Sequence, residues 1–288
     1  MDRILEQMTE WLQGALVDGI MDLLSGMFAT VNDRVANIST QVGTPPGSFE
    51  PGVFAMIRQI SENVVLPIAG LILTFIACYE LIQLIIAHNN LANFETWIFF
   101  KWVFKTTVAV YLISNCFTIT MAVFDVAQHV VSSAGGIIGG STAVDDSALM
   151  SMRSTLEHME LGALMGTFMQ ALVVQLTVRA LSVVIFVIVY GRMIEIYLMV
   201  SLAPIPFSTF ANREQGQIGQ NYLKSLLALG FQGFLIMICI AIYAVLIRSV
   251  AFTTDIVGSL WGVMGYTVLL VYTLFKTGSL AKSIFLAR

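Results

Sequence analysis

Long apolar runs separated by short polar segments dominate the hydrophobic pattern of this chain. Five of the runs are 22 to 28 residues long, and a helix of that length crosses the roughly 30 Å hydrocarbon layer of a bilayer. A segment in lipid has to satisfy its own backbone amides, which a helix does. The pattern predicts an all-α integral membrane protein with about five transmembrane helices, at residues 64–87, 97–124, 163–190, 225–250 and 256–277.

The N-terminal segment has a different pattern, in which apolar residues recur at helical spacing between acidic residues. Five Asp and Glu residues between positions 2 and 22 make residues 3–31 too polar to span. We predict an amphipathic helix that lies in the membrane interface, on a partner protein or on the spans of its own chain. The predicted domains are this helix at 1–38, a linker at 39–62 and a transmembrane domain at 63–288.

Two further segments do not fit a simple series of spans. Residues 125–162 contain four glycines between positions 135 and 140, and we expect an aqueous loop that ends in a helix running into the next span. Residues 192–211 are apolar, but Pro204 and Pro206 interrupt a regular helix there. This broken segment is a span, a re-entrant hairpin or an interfacial helix, and the sequence leaves the three readings open.

Composition excludes a soluble domain, because only 11% of the residues are charged and 57% are hydrophobic, whereas soluble domains carry about 25% charged residues. The net charge of −4 and the 14 Lys and Arg residues, without a basic run, argue against extensive nucleic-acid binding. The three cysteines and three histidines are scattered. We therefore expect no metal ion, no cofactor and no enzymatic activity.

The distribution of Lys and Arg predicts the orientation, because cytoplasmic loops carry the excess of basic residues. With five spans, eight basic residues lie inside and five outside when the N-terminus is outside and the C-terminus is cytoplasmic. If residues 192–211 also cross, both termini lie inside and nine basic residues face four. The five-span arrangement agrees better at the short loops. It makes the N-terminal helix and the loop at 125–162 extracytoplasmic.

Arg179 is a charged residue near the middle of the third predicted span. An uncompensated charge near the middle of a span costs about 2.5–3.5 kcal/mol or more. On the five-span topology Glu80 lies at the same depth, so we hypothesise that Arg179 pairs with Glu80, within one chain or across a subunit contact. Glu195 is the alternative partner. Such a pair either fixes helix packing or lines a conduit.

Small residues at four-residue spacing mark helix faces that approach one another closely. The third span begins with Gly162 and Gly166, and the last contains Gly258 and Gly262, followed by Gly265. We expect these glycines to lie at helix contacts.

The region after the third predicted span carries a family resemblance. It contains Ala203-Pro204 and Pro206 within Tyr197–Phe210, and the following polar and helical stretch includes Asn221, Lys224 and Gln232. Together with the amphipathic N-terminus and the long Gly-containing loop, this pattern resembles the TrbL-type polytopic inner-membrane subunit of conjugative type IV secretion systems, in the version of Gram-positive conjugative elements.

The resemblance implies a non-enzymatic, multi-pass subunit of the bacterial cytoplasmic membrane, with five spans, an outer N-terminus and an inner C-terminus. It implies a homo-oligomeric ring, a homopentamer in the best-understood case, that supports the extracytoplasmic stalk or pilus base and contacts the channel scaffold. The machine moves single-stranded DNA with its attached relaxase, driven by separate ATPases. The weak basicity of this chain favours a scaffold over a wall that grips the DNA.

Two other functions remain open at this stage. A small-molecule permease or channel needs a polar cavity at mid-membrane, for which Arg179 and Glu80 are the candidates. A membrane insertase or assembly factor uses a polar groove around a buried arginine. In the secretion reading, we expect residues 3–31 and 125–162 to contact partner subunits.

Overall fold

The computed structural model describes residues 2–87, 96–138, 146–212, 214–251 and 255–287, and every regular element within them is helical. This confirms the prediction of an all-α membrane protein. The long helices are α1 (Asp2–Gly43), α4 (Leu66–Ala87), α5 (Thr96–Ser114), α6 (Cys116–Ile138), α8 (Leu161–Ser201), α10 (Gly216–Ala251) and α11 (Ile256–Ile284). The short helices are α2 (Pro46–Phe49), α3 (Pro51–Ile60), α7 (Asp146–Glu157) and α9 (Pro204–Ser208).

Seven helical stretches in the described part of the chain are long and apolar enough to cross a membrane, whereas the sequence predicted about five. They are Glu6–Gly43, Pro51–Ile86, Trp97–Ser114, Cys116–Ser133, Leu161–Ala211, Gly216–Val250 and Ile256–Ile284. One of the two additional stretches is in α1. Five of its six acidic residues precede Leu23, and the part after Leu23 is mostly apolar, with Asp33 and Arg34 as its charged residues.

The second additional stretch arises because the predicted span 97–124 is two helices. A break at Asn115 separates α5 from α6, and the Asn115 side-chain Nδ2 donates to the Tyr111 carbonyl oxygen at 2.9 Å. Asn side chains compete with the backbone for hydrogen bonds, which favours such interruptions. Since α6 continues to Ile138, helix replaces the first part of the expected loop at 125–162. Residues 139–145 of that loop lie outside the described residues.

Residues 192–211 are not an independent span. The helix that begins the third predicted span continues through residue 190 to Ser201, so α8 has 41 residues, a length of about 60 Å. Only residues 202–211 are broken, into α9 and a 3₁₀ turn at Thr209–Ala211. The prolines end the helix, but the break comes later in the chain than the predicted start of the broken segment.

Residues 39–62, the predicted linker, are largely helical. Helices α2 and α3 each have Pro at an N-terminal position, where its missing N–H is tolerated. A π-helical turn at Ser61–Val65 then connects α3 to α4. The assignment of these residues as a domain boundary stays a prediction.

The chain forms two compact units. Unit 1 comprises Met1–Val42, Ser133–Val189 and Leu235–Thr277, and unit 2 comprises Gly43–Ser132, Tyr190–Phe234 and Gly278–Arg288. In unit 1 the buried face of α1, with Ile20, Leu24 and Met27, belongs to the core. The Tyr243 and Thr267 hydroxyls are 2.8 Å apart and join α10 to α11 within this unit.

The core of unit 2 is a large cluster of aliphatic and aromatic side chains. Fully buried members include Ala69 of α4, Ile196 of α8 and Leu226 of α10. Helices α4 and α5 are also joined by polar contacts, because Trp102 Nε1 donates to the Ala77 carbonyl oxygen at 3.1 Å. This core supports the broken segment that follows α8.

Candidate functional site

The broken segment after α8 is buried inside unit 2. Pro204 and Pro206 lack backbone N–H groups, so the chain cannot continue as α8 and instead forms α9 and the 3₁₀ turn. Both elements pack against α4 and α5. The buried hydroxyls of this segment are satisfied locally, since Ser208 donates to the Ile205 carbonyl at 2.6 Å and Thr209 to the Pro206 carbonyl at 2.8 Å.

Aromatic packing fixes this insertion, which we define as residues 202–212. Phe207 is 2% exposed, and its ring lies edge-to-face with Phe210 and Tyr222 at centroid distances of 5.5 and 6.0 Å. The Tyr222 hydroxyl donates to the Met199 carbonyl at 2.9 Å, which joins the start of α10 to the end of α8. Ala203 is fully buried beside this cluster.

The start of α10 docks directly on the insertion. Asn212 caps the turn that leads into α10, because its Oδ1 accepts from the backbone N–H of Glu214 at 2.7 Å. The Gly219 N–H donates to Thr209 Oγ1 at 3.1 Å. A methyl group on Gly219 would lie 2.8 Å from the Pro206 carbonyl oxygen. Only glycine allows this approach, so the insertion and α10 form one tightly packed element.

Arg192 is the buried cation of unit 2, with 7% of its surface exposed. Its Nε donates to the Leu229 carbonyl oxygen in a long hydrogen bond of 3.4 Å. Gly233 leaves room for the guanidinium, since a methyl group there would lie 2.7 Å from Nη2. The position of Arg192 in α8 therefore depends on α10, which presents a glycine at 233 and a helical carbonyl oxygen at Leu229 that accepts a second hydrogen bond.

A small cavity of about 10 Å³ adjoins Arg192, which is about the space that one water molecule occupies. Thr44, Pro46 and Gln128 also line it. The Gln128 Nε2 is buried and has no hydrogen-bond partner among the described residues. The cavity is too small for a cofactor. We therefore assign Arg192 and Gln128 a role in positioning α6, α8 and α10 within unit 2.

Sequence reasoning counted Arg192 among loop residues and missed its burial. The signal was present, because Arg192 has apolar residues on both sides and precedes the prolines by a dozen positions within an otherwise continuous helical pattern. Gln128 was likewise assigned to an aqueous loop.

The predicted intramembrane polar residues have other neighbours than we expected. Glu80 of α4 forms an ion pair with Lys105 of α5. Glu195 of α8 pairs with Lys282 of α11 at 3.2 Å. Arg179 is exposed on α8, and no described residue of unit 1 forms an ion pair with it. Its pairing with either carboxylate stays a prediction.

The predicted packing glycines fall into two groups. A methyl group on Gly162, Gly166 or Gly265 would meet no described atom within 4 Å, so these positions have open space within the chain. At Gly262, by contrast, a methyl group would lie 3.1 Å from Val250, where α11 approaches α10 in unit 1. Gly258 lies beside Asp255, whose Oδ1 accepts its N–H at 3.0 Å at the start of α11.

The remaining motif residues divide between a groove and the core. Asn221 and Lys224 line an open groove at the start of α10. Gln232 is buried, and a methyl group on Gly278 would lie 3.3 Å from its Nε2. Within the described ranges no group of three or more His, Cys, Asp and Glu residues is placed to hold a metal ion. The described part of the site is thus a packed helical assembly with a polar lining.

Comparison with known proteins identifies a family. Residues 31–204 match a family model described as TrbL/VirB6 plasmid conjugal transfer like protein. The match covers more than half of the chain, from the last third of α1 to the first proline of the insertion. No curated protein and no solved structure matches the chain.

Proposed function

Because the chain belongs to the TrbL/VirB6 plasmid conjugal transfer-like family, we propose that it is a structural subunit of a conjugative type IV secretion machine, in the version of Gram-positive elements. Family membership and the apolar helices make it a multi-pass membrane component of conjugal transfer. The family match over residues 31–204 carries the proposal. The proposed role is a ring that supports the extracytoplasmic stalk and the translocation channel.

In the proposed homo-oligomer, the exposed apolar helix surface contacts both lipid and neighbouring subunits. Within the most apolar 18-residue stretch of α5, only 11% of the residues are buried within the chain, against 50% in the corresponding stretch of α10. Lipid covers part of this surface, and neighbouring subunits in the ring cover the rest. By family resemblance we propose five copies.

Arg179 also bears on the proposed assembly. A lipid-facing arginine near the middle of a long apolar helix costs several kcal/mol, and Arg179 is exposed on α8. In the proposed ring it faces either a carboxylate of a neighbouring copy or the water-filled conduit. In the proposed ring, both surroundings are formed by more than one chain.

The first half of α1 and helix α7 form the proposed extracytoplasmic face. Arg153 of α7 donates through Nη2 to Asp18 of α1 at 2.7 Å and through Nε to Glu157 at 3.1 Å. The hydrogen bond to Glu157 and the charge of Asp18 raise the pKa of the Arg153 guanidinium. Arg153 is charged throughout the physiological pH range, so its ion pairs with Asp18 and Glu157 are not lost through deprotonation of the guanidinium.

An apolar stripe on α1 is the proposed contact with the stalk. Ile4, Met8 and Trp11 lie on one face of α1 and are each more than 60% exposed. In contrast, the later residues Ile20, Leu24 and Met27 are buried in unit 1. Deleting residues 3–31 would therefore remove core as well as contact surface, whereas substitution of the stripe separates the two.

Replacing Ile4, Met8 and Trp11 with Ser is expected to abolish co-purification of stalk subunits and DNA transfer while leaving membrane insertion intact. The physical reason is loss of the apolar contact without loss of buried core. Trp97→Ser is the matched control, because Trp97 on α5 is as exposed as Trp11. Stalk subunits that still co-purify with the triple variant would refute the assignment of this stripe. In cells that lack the stalk subunits, an impermeant thiol reagent should label a Trp11→Cys variant in a cysteine-free background.

The weak basicity of the chain favours a scaffold in the path of the DNA over a surface that grips it. The net charge is −4, and binding through phosphates needs clustered Lys and Arg. In the proposal, separate ATPases drive the transport of single-stranded DNA with its relaxase, and this chain holds the membrane passage in place.

Removing the chain from a donor cell that encodes it is expected to abolish transfer of the element, and expressing the intact chain in trans should restore it. The purified protein in mild detergent should migrate as a ring of several copies in native sizing. Unchanged transfer without the chain would contradict the proposed function. A monomer in every detergent would contradict the ring alone.

A further inference from the structure

An open groove of about 560 Å³ lies in unit 2 where α10 begins and α11 ends. Its polar lining consists of side chains from the first turns of α10 and the last turn of α11, namely Gln217, Asn221, Lys224, Lys282 and Ser283. The volume falls in the range of small-molecule sites. No described lining residue is acidic, so the groove is positively charged.

The two lysines differ in their surroundings. Lys282 Nζ is 3.2 Å from Glu195 Oε1, and both side chains are about half exposed. Lys224 forms no ion pair with a described residue of unit 2. The groove therefore has one ammonium group without a carboxylate partner and a second whose partner lies outside the lining. An anionic group can bind between them.

A second, apolar groove of about 150 Å³ continues along the same helix. Valines of α6 form one wall, and Leu227, Phe231 and Phe234 of α10 form the other. Phe285 closes this groove and packs edge-to-face on Phe231 at 5.6 Å. The next residue, Leu286, lines the polar groove, so the two grooves adjoin at the end of α11.

The lining residues of α10 form one stripe along the helix. They recur at intervals of three and four, which places them on one helix face. The stripe is polar from Gln217 to Lys224 and apolar from Leu227 to Phe234, and it is about 25 Å long. This lengthwise change from basic and polar to apolar matches a molecule with an anionic head and a hydrocarbon body.

Leu286 adds an independent observation. Its φ of 49° lies in the left-handed region, which favours glycine at the end of a helix. The Ala287 N–H donates to the Lys282 carbonyl at 2.9 Å and closes this C-terminal turn. The Leu286 side chain is 75% exposed. The strained backbone of Leu286 thus lies directly beside the basic groove.

We propose that these adjoining grooves bind one anionic phospholipid, with its phosphate between Lys224 and Lys282 and an acyl chain along Leu227, Phe231 and Phe234. The bound lipid holds the end of α11 against α10. This site is independent of the proposed transfer function, because it rests on the two grooves alone.

The test is titration of delipidated, detergent-purified protein with phosphatidylglycerol and with phosphatidylcholine of the same acyl chains, read by native mass spectrometry. Phosphatidylglycerol is expected to bind at least about tenfold more tightly. Each lysine near a membrane surface contributes about fivefold, so Lys224→Gln should weaken binding about fivefold and the double variant with Lys282→Gln about 25-fold. Lys224→Gln leaves the Glu195–Lys282 pair intact.

Two control variants separate binding from folding. Lys101→Gln removes an exposed lysine of α5 outside the grooves and should leave the affinity unchanged. Leu286→Gly should weaken phosphatidylglycerol binding several-fold without lowering the thermal unfolding midpoint, because it removes apolar contact and relieves the backbone. Equal binding of the two lipids, or wild-type affinity in the double-lysine variant, would overturn the proposal. Single charge contacts are weak, so the competing inorganic phosphate is used at about 10 mM. Displacement of the lipid under this condition would assign the site to a soluble phosphate instead.

Discussion

Gly219→Ala is expected to lower the free energy of unfolding by about 3 kcal/mol, at the upper end of the range for overpacked sites. The added methyl group would lie 2.8 Å from the Pro206 carbonyl oxygen and 2.9 Å from the Phe210 ring. The Phe210 ring can rotate. The Pro206 carbonyl belongs to the backbone, however, and cannot move without shifting the insertion. The same shift lengthens the hydrogen bond from the Gly219 N–H to Thr209 Oγ1.

The measurement is the unfolding midpoint of the purified protein in detergent. Gly166→Ala is the matched control, since a methyl group there meets no described atom within 4 Å, and alanine is favoured over glycine in a helix by about 0.5–1 kcal/mol. Gly166→Ala should therefore leave the midpoint unchanged or raise it. Equal midpoints for the Gly219 and Gly166 variants would mean that α10 does not dock on the insertion as described.

Phe207→Ala is expected to cost about 3–5 kcal/mol, the usual range for truncating a buried phenylalanine. Phe207 is the centre of the insertion, and its loss removes the edge-to-face contacts with Phe210 and Tyr222 together with the contacts that hold α9 on α4 and α5. Because the Ala203–Pro204 region cannot form a regular helix, packing is its main source of order.

Phe207→Leu should cost less than half as much stability as Phe207→Ala, because leucine keeps an apolar side chain of similar volume at this buried position. Phe104→Ala on α5 is the matched control, because that phenylalanine is exposed within the chain. If Phe207→Ala and Phe104→Ala shift the unfolding midpoint equally, the buried aromatic cluster does not organise unit 2.

The Gly219→Ala and Phe207→Ala variants disturb the segment in which the family match ends. The matched region ends at residue 204, inside the segment where α8 breaks, and the contacts that organise the segment come from α4, α5 and α10. A structural subunit of a transfer machine needs a membrane frame that holds its shape while a substrate passes. We therefore expect both variants to lose assembly and DNA transfer in proportion to their lost stability.

The sequence alone determined the class of protein and the positions of most helices. Stretches with so few ionisable residues have to be helices in lipid, because hydrocarbon offers no partners for backbone amides. The prolines predicted the broken segment for the same local reason: they remove N–H donors. The resemblance drawn partly from Tyr197–Phe210 agrees with the family match, but that match ends at residue 204, so the motif residues beyond it stay a prediction.

Only the tertiary structure decided which polar groups meet. Arg192 is buried because Gly233 of a helix forty residues away leaves space and Leu229 offers a carbonyl, and neither condition can be deduced from the residues around Arg192. Glu80 pairs with Lys105 because α4 and α5 adjoin, a contact that depth along separate spans does not reveal. Apolar periodicity states how much of a helix avoids water. It does not distinguish lipid from a neighbouring helix, since both are equally apolar, and that distinction needs the packed structure.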